Sequence, residues 1–96
     1  MTSVERIKEL LTLVIDPELA INIIDLGLVY TISVEEEVAT IVMTLTSPAC
    51  PFVDLIEEQI ESILAQEGWE VIIQFTFDPP WSLDMISPVI RAERGL

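Results

Sequence analysis

A chain of 96 residues, about half of them apolar, has room for one small core. Seventeen acidic residues against four basic ones leave a net charge of −13, which repels phosphate backbones and excludes nucleic acid as a natural partner; the absence of histidine removes Ser/His and Cys/His catalytic arrangements together with the commonest metal ligand. A single cysteine cannot close an internal disulfide, the apolar run at 10–15 is too short for a bilayer, and no signal-peptide pattern is visible, so the expectation is one cytoplasmic, non-membrane domain over residues 1–96.

The first element is a helix over 2–14, with Val4, Ile7, Leu11 and Val14 near i, i+3, i+7 spacing and Thr2 and Glu5 placed as a capping box. Asp16-Pro17 ends it, because the proline ring pushes the preceding residue out of the α region. DPELAINIIDLG, residues 16–27, has no clean period and reads as an ordered loop in which Gly27 takes a left-handed or tightly packed position. From Leu28 the period becomes two. Leu28–Val34 and Val38–Leu45 form a hairpin around Glu35-Glu36, with Ala39, Ile41, Met43 and Leu45 on one face and Val38, Thr40, Val42 and Thr44 on the other. The turn lacks the Asn-Gly or Asp-Gly of a tight hairpin, which predicts a loose tip.

Pro51 opens a second helix whose apolar face is Phe52, Val53, Ile56, Ile60, Ile63 and Leu64, closed by Gly68. A third strand follows at 69–77 and stops at Asp78-Pro79-Pro80-Trp81; Ser87-Pro88 starts a short last helix that ends near Gly95. The order α-β-β-α-β-α gives an α+β fold: a three-stranded mixed sheet with its helices packed on one face.

With Pro51 at the first helical position, Cys50 becomes the N-cap. The helix dipole and first-turn amides then favour its thiolate, while nearby carboxylates oppose it. A thiol standing in for a capping serine is the plain alternative. Asp16 and Glu18 are expected on the same edge as Cys50. One thiol with one or two carboxylates is an incomplete metal cage, so Cys50 would ligate metal only transiently, with help from a partner, or across a symmetric dimer. A carboxylate is a poor base for a thiol at neutral pH, which argues against an enzyme. The acidic surface serves solubility or docks a basic protein face.

Four segments together, DPEL at 16–19, IIDLGLV at 23–29, TLTSPACP at 44–51 and DPPW at 78–81, resemble the SufT/PaaD-like iron–sulfur assembly domain family, which includes the cytosolic iron–sulfur targeting subunit. The resemblance spans nearly the whole chain. It implies an iron–sulfur assembly fold with an added C-terminal helix and an accessory role in assembling clusters or delivering them to recipient proteins, without catalytic turnover. Its functional site maps onto Asp16, Glu18, Leu19, Thr46, Ser47 and Cys50, with Trp81 and Asp78 packing beside it. The implied cargo is a transient iron–sulfur cluster or iron, with none tightly bound. The implied partners are the assembly machinery and recipient proteins, and a homodimer would pair two Cys50 thiols. Two features depart from the family pattern: Glu35-Glu36-Glu37 replaces a glycine-containing hairpin tip, and Ala49 stands where glycine is common. The alternative is a non-catalytic interaction module, including a PaaD-like subunit of a phenylacetate-degradation complex, in which Cys50 is only structural. A thiol enzyme or redox sensor is a weaker third.

Overall fold

The computed structural model describes residues 2–47 and 49–96; Pro48 of the TSPACP segment lies outside them. Helix α1 (Ser3–Leu11) is capped by Thr2, whose hydroxyl accepts the Glu5 amide at 3.1 Å, and it buries Ile7, Leu10 and Leu11. It ends before Asp16-Pro17: Thr12 already satisfies its amide on the carbonyls of Glu9 and Leu10, and Val14 turns into the core. Two short strands follow, β1 (Ile15–Asp16) and β2 (Ile21–Asn22), paired antiparallel with Asp16 opposite Ile21. Two-residue strands carry no readable period, so the sequence presents this miniature hairpin as loop.

The main sheet contains β3 (Val29–Glu35), β4 (Val38–Met43) and β5 (Glu70–Phe75) in the order β3-β4-β5. β3 and β4 run antiparallel with Ile32 opposite Ile41. β4 and β5 run parallel, with Ile41 opposite Ile73. The parallel pair requires a crossover, supplied by α2 (Val53–Ala65). α1 packs on β3, α2 packs on β5, and the two helices touch each other, so both cover one face of the mixed sheet.

Ala39, Ile41 and Met43 are fully buried beneath the helices against Ile7, Leu11, Ile56, Ile60 and Leu64, as the alternation predicts. Each such Leu or Ile contributes roughly 1.5–3 kcal/mol by burial, which makes this layer the chief stabilising term. Thr44 departs from the alternation. It follows the last residue of β4, donates its amide to Leu28 O at 2.8 Å, and is buried with a hydroxyl that has no partner. The hairpin tip is also tighter than its composition suggests: Glu36-Glu37 is a two-residue turn with Glu36 at φ 55°.

Beyond β5 the chain crosses back toward β3. The Asp78-Pro79 peptide is cis, Tyr30 donates its hydroxyl to Pro79 O at 2.7 Å, and the Trp81 indole donates to Leu26 O at 2.7 Å. A 3-10 turn (Leu83–Met85) then lies against Gly27, where a Cβ would sit 2.3 Å from Met85 O. Gly27 has φ 75°, so it is both left-handed and closely packed. The last helix, α3 (Pro88–Arg94), ends at Gly95 with φ 68°. No helix among the described residues is long and apolar enough to cross a membrane.

Candidate functional site

The turn between β1 and β2 is built by Asp16. Its side-chain Oδ1 accepts the amides of Glu18 at 2.8 Å and Leu19 at 3.3 Å, and its carbonyl accepts the Ala20 amide at 2.8 Å. An aspartate before proline serves this purpose because its short carboxylate reaches the amides two and three residues on. Asp16 is fully buried, and its second oxygen, Oδ2, has no hydrogen-bond partner. Leu19 packs against the core, Glu18 is exposed, and Ala20 takes φ 56° to bring the chain back into β2.

The loop leaving β4 supplies the other half. Ser47 accepts the Ala49 amide on its hydroxyl at 3.2 Å and the Cys50 amide on its carbonyl at 3.1 Å, which folds the chain tightly just before the thiol. Thr46 is half-buried in the same loop. Cys50 is 7% exposed and belongs to the core cluster. The N-cap of α2 is Phe52, whose carbonyl accepts the Ile56 amide at 3.0 Å. Cys50 therefore precedes the helix and does not cap it. Pro51 and Phe52 form a turn of their own, because Phe52 at φ −103°, ψ 13° is not helical.

This placement reverses the expected electrostatics. Burial pushes the Cys50 thiol above its ordinary value, and the carboxylates of Glu18 and Asp16 push it further; the Phe52 amide, directed at the sulfur, is the one opposing influence. All four cationic side chains lie on α1 and α3, and none is among the influences on the thiol. The resting group is a neutral thiol rather than an activated thiolate. The tertiary fold does bring Asp16, Glu18 and Cys50 together, with Leu19 and Ser47 shaping the two loops. Among the described residues, no group of three or more His, Cys, Asp or Glu side chains is arranged to hold a metal ion.

Trp81 is half-buried and fastens the 22–27 loop, while Asp78 is exposed at the cis-proline turn. Arg94 is a contributor that local sequence signals did not single out. Its guanidinium donates to Leu19 O at 3.3 Å and Ala20 O at 3.2 Å, which ties α3 to the DPEL turn. A lone arginine near a C-terminus carries no local pattern from which this contact could be read.

Residues 4–74 match the family described as iron-sulfur cluster assembly protein. The chain belongs to this family. It is 41% identical over 87 residues to the Staphylococcus aureus protein named Fe-S protein maturation auxiliary factor SufT, covering 88% of this chain and 99% of that one. A crystal structure of a domain of unknown function, DUF59, from Bacillus anthracis superposes with a TM-score of 0.91 at 32% identity, covering 97% of this chain and 92% of that one. A solution structure from Mycobacterium tuberculosis, described as associated with iron–sulfur complex assembly and repair, has a TM-score of 0.59 at 42% identity, covering 96% of this chain and 83% of that one. The family match stops at Gln74, so the strap of residues 76–96 that carries DPPW and Arg94 lies outside the matched region.

Proposed function

We propose that this chain is a non-catalytic accessory factor in iron–sulfur protein maturation, with Cys50, Asp16 and Glu18 as its functional centre. The observation that carries the assignment to this site is Asp16 Oδ2, a buried carboxylate oxygen without a partner beside the only thiol. Leaving such a group unpaired costs on the order of 1–3 kcal/mol, so a cation or a donor from outside the chain is its natural complement. Support for reading the cargo as iron or a cluster comes from relatives named Fe-S protein maturation auxiliary factors.

In this reading, iron or a cluster is cargo. A metal arriving at the site displaces the proton from the Cys50 thiol and offsets the negative charge of Asp16 and Glu18, so capture and proton release are coupled. One thiol leaves the coordination open. The remaining ligands come from the assembly machinery or the recipient, which makes transfer easy and resident binding weak. Ser47 shapes the loop that holds the sulfur.

The second reading, an interaction module with a structural cysteine, draws on the 7% exposure and raised pKa of Cys50. Replacing Cys50 with Ser separates the two in a strain whose iron–sulfur enzymes depend on this protein. The expected result is loss of those enzyme activities while circular dichroism and melting temperature show an intact fold. Full activity from a folded Cys50→Ser protein would replace the cargo reading with the interaction module.

A further inference from the structure

The outer edge of β5 is an open row of backbone hydrogen-bonding groups. The Glu70 amide donates to Glu37 O at 2.8 Å and the Thr76 amide to Met43 O at 2.9 Å, so the even-numbered positions of this strand face β4. Because backbone groups alternate along a strand, Val71, Ile73 and Phe75 direct their N–H and C=O groups outward. Among the described residues, no strand pairs with that side. The strand EVIIQF contains no proline, lysine or arginine, and Glu70 is its only charge. The opposite edge differs. β3 has an irregular register between Val29 and Thr31 and carries the C-terminal strap through Tyr30. A bulge and a covering segment protect β3; among the described residues β5 has neither device.

We propose that β5 pairs antiparallel with β5 of a second copy of this chain, about a two-fold axis through Ile73, joining two three-stranded sheets into one. The outward positions fix the register. Val71 faces the partner's Phe75 and Ile73 faces the partner's Ile73, and each such pair exchanges two N–H···O=C bonds. Between them Ile72, 48% exposed, faces the partner's Gln74 on the open face of the sheet. The strand is self-complementary in this register. The side chains of Val71, Ile73 and Phe75, half-buried under α2, continue the apolar layer across the junction, and Glu70 falls opposite the partner's Thr76, away from the second Glu70. A basic partner would find no acidic row along this edge to recognise. Most of the chain's acidic groups sit elsewhere, at the hairpin tip, on the outer side of α2 and in the loops, so they oppose association at longer range and salt screens them.

The geometry has a consequence for the site. The loop that holds Cys50 leaves the C-terminal end of β4, which runs parallel to β5. Antiparallel β5 strands therefore send the two Cys50 loops to opposite ends of the joined sheet. This dimer keeps one thiol per site instead of pairing two.

Sedimentation equilibrium of the full chain across a wide concentration range tests the proposal. The expected species has twice the 10.8 kDa chain mass and dissociates on dilution, with tighter association at high sodium chloride. Val71→Pro removes an outward amide while leaving the β4 ladder intact, and should weaken the dimer about tenfold or more. Should that variant fold poorly, the double variant Ile72→Cys with Gln74→Cys, in a Cys50→Ser background, gives a second readout. These positions form non-hydrogen-bonded pairs about 4.5 Å apart at Cα, so mild oxidation should yield a covalent dimer, and Ile72→Cys alone should not. A single-chain mass at every concentration, a dimer insensitive to Val71→Pro, or failure of the double variant to cross-link would each overturn the proposal.

Discussion

Cys50 shows how far one residue's surroundings can override its local sequence. A thiol before proline at a helix start has the makings of an activated nucleophile, yet the helix begins at Val53 and the sulfur is left among carboxylates and core side chains. The pH dependence follows from the direction of that shift. A thiol whose folded-state pKa lies above its unfolded value favours the native state fully below the unfolded pKa, and that contribution is lost as pH rises from the unfolded pKa through the folded one. Glu18 raises the thiol pKa and has an exposed side chain, so Glu18→Gln should lower the apparent pKa of alkylation and speed the reaction at neutral pH. Iodoacetamide kinetics against pH measure this directly, and an unchanged profile would show that Glu18 does not act on the sulfur. Asp16 has a different task, since its Oδ1 builds the turn while Oδ2 is left free. Asp16→Asn keeps an acceptor for the turn and removes the charge, whereas Asp16→Ala removes both.

At the scale of elements, the strap of residues 76–96 organises the loops that carry the site. Trp81 fastens the 22–27 loop, Gly27 admits the backbone of Met85, and Arg94 reaches the carbonyls of Leu19 and Ala20. Gly27 is the point at which this arrangement is most easily broken. Alanine there must adopt φ 75° and place its Cβ 2.3 Å from a backbone oxygen that cannot move as a side-chain tip can. Gly27→Ala should cost at least about 2 kcal/mol. Urea denaturation measures the loss, and limited proteolysis should show cleavage beginning within the displaced strap. A loss below about 0.5 kcal/mol, the scale of ordinary surface substitutions, would mean that the strap accommodates the methyl group by shifting. The hairpin tip is a gentler case: Glu36 occupies a left-handed position that glycine fills at less cost, so composition predicts a loose turn where the strands impose a tight one.

For the whole molecule, charge is distributed very unevenly. No lysine or arginine occurs between Lys8 and Arg91, so the sheet, the hairpin tip and α2 lie within one continuous anionic stretch of sequence. Arg6 partly offsets this by joining α1 to the turn after α2, with Nη2 at 2.6 Å from Glu67 and Nη1 at 2.9 Å from Glu9. Self-repulsion at a net charge of −13 should make the melting temperature rise as sodium chloride brings the screening length from about 30 Å at 0.01 M to about 10 Å at 0.1 M. Calorimetry at fixed pH checks this, and a melting temperature independent of salt would show that the charges are too far apart to matter. The sequence by itself determined the α+β class, the hairpin, the helix faces and, through four spaced motifs, the family, because period-two and period-3.6 patterns and ordered motifs are local or sequential along the chain. Only the tertiary structure decided that Phe52 rather than Cys50 caps α2, that Asp16 is buried with one oxygen unpaired, and that Arg94 holds the DPEL turn. Those features depend on solvent exclusion and on contacts between residues as much as 75 positions apart, which no local pattern of side chains encodes.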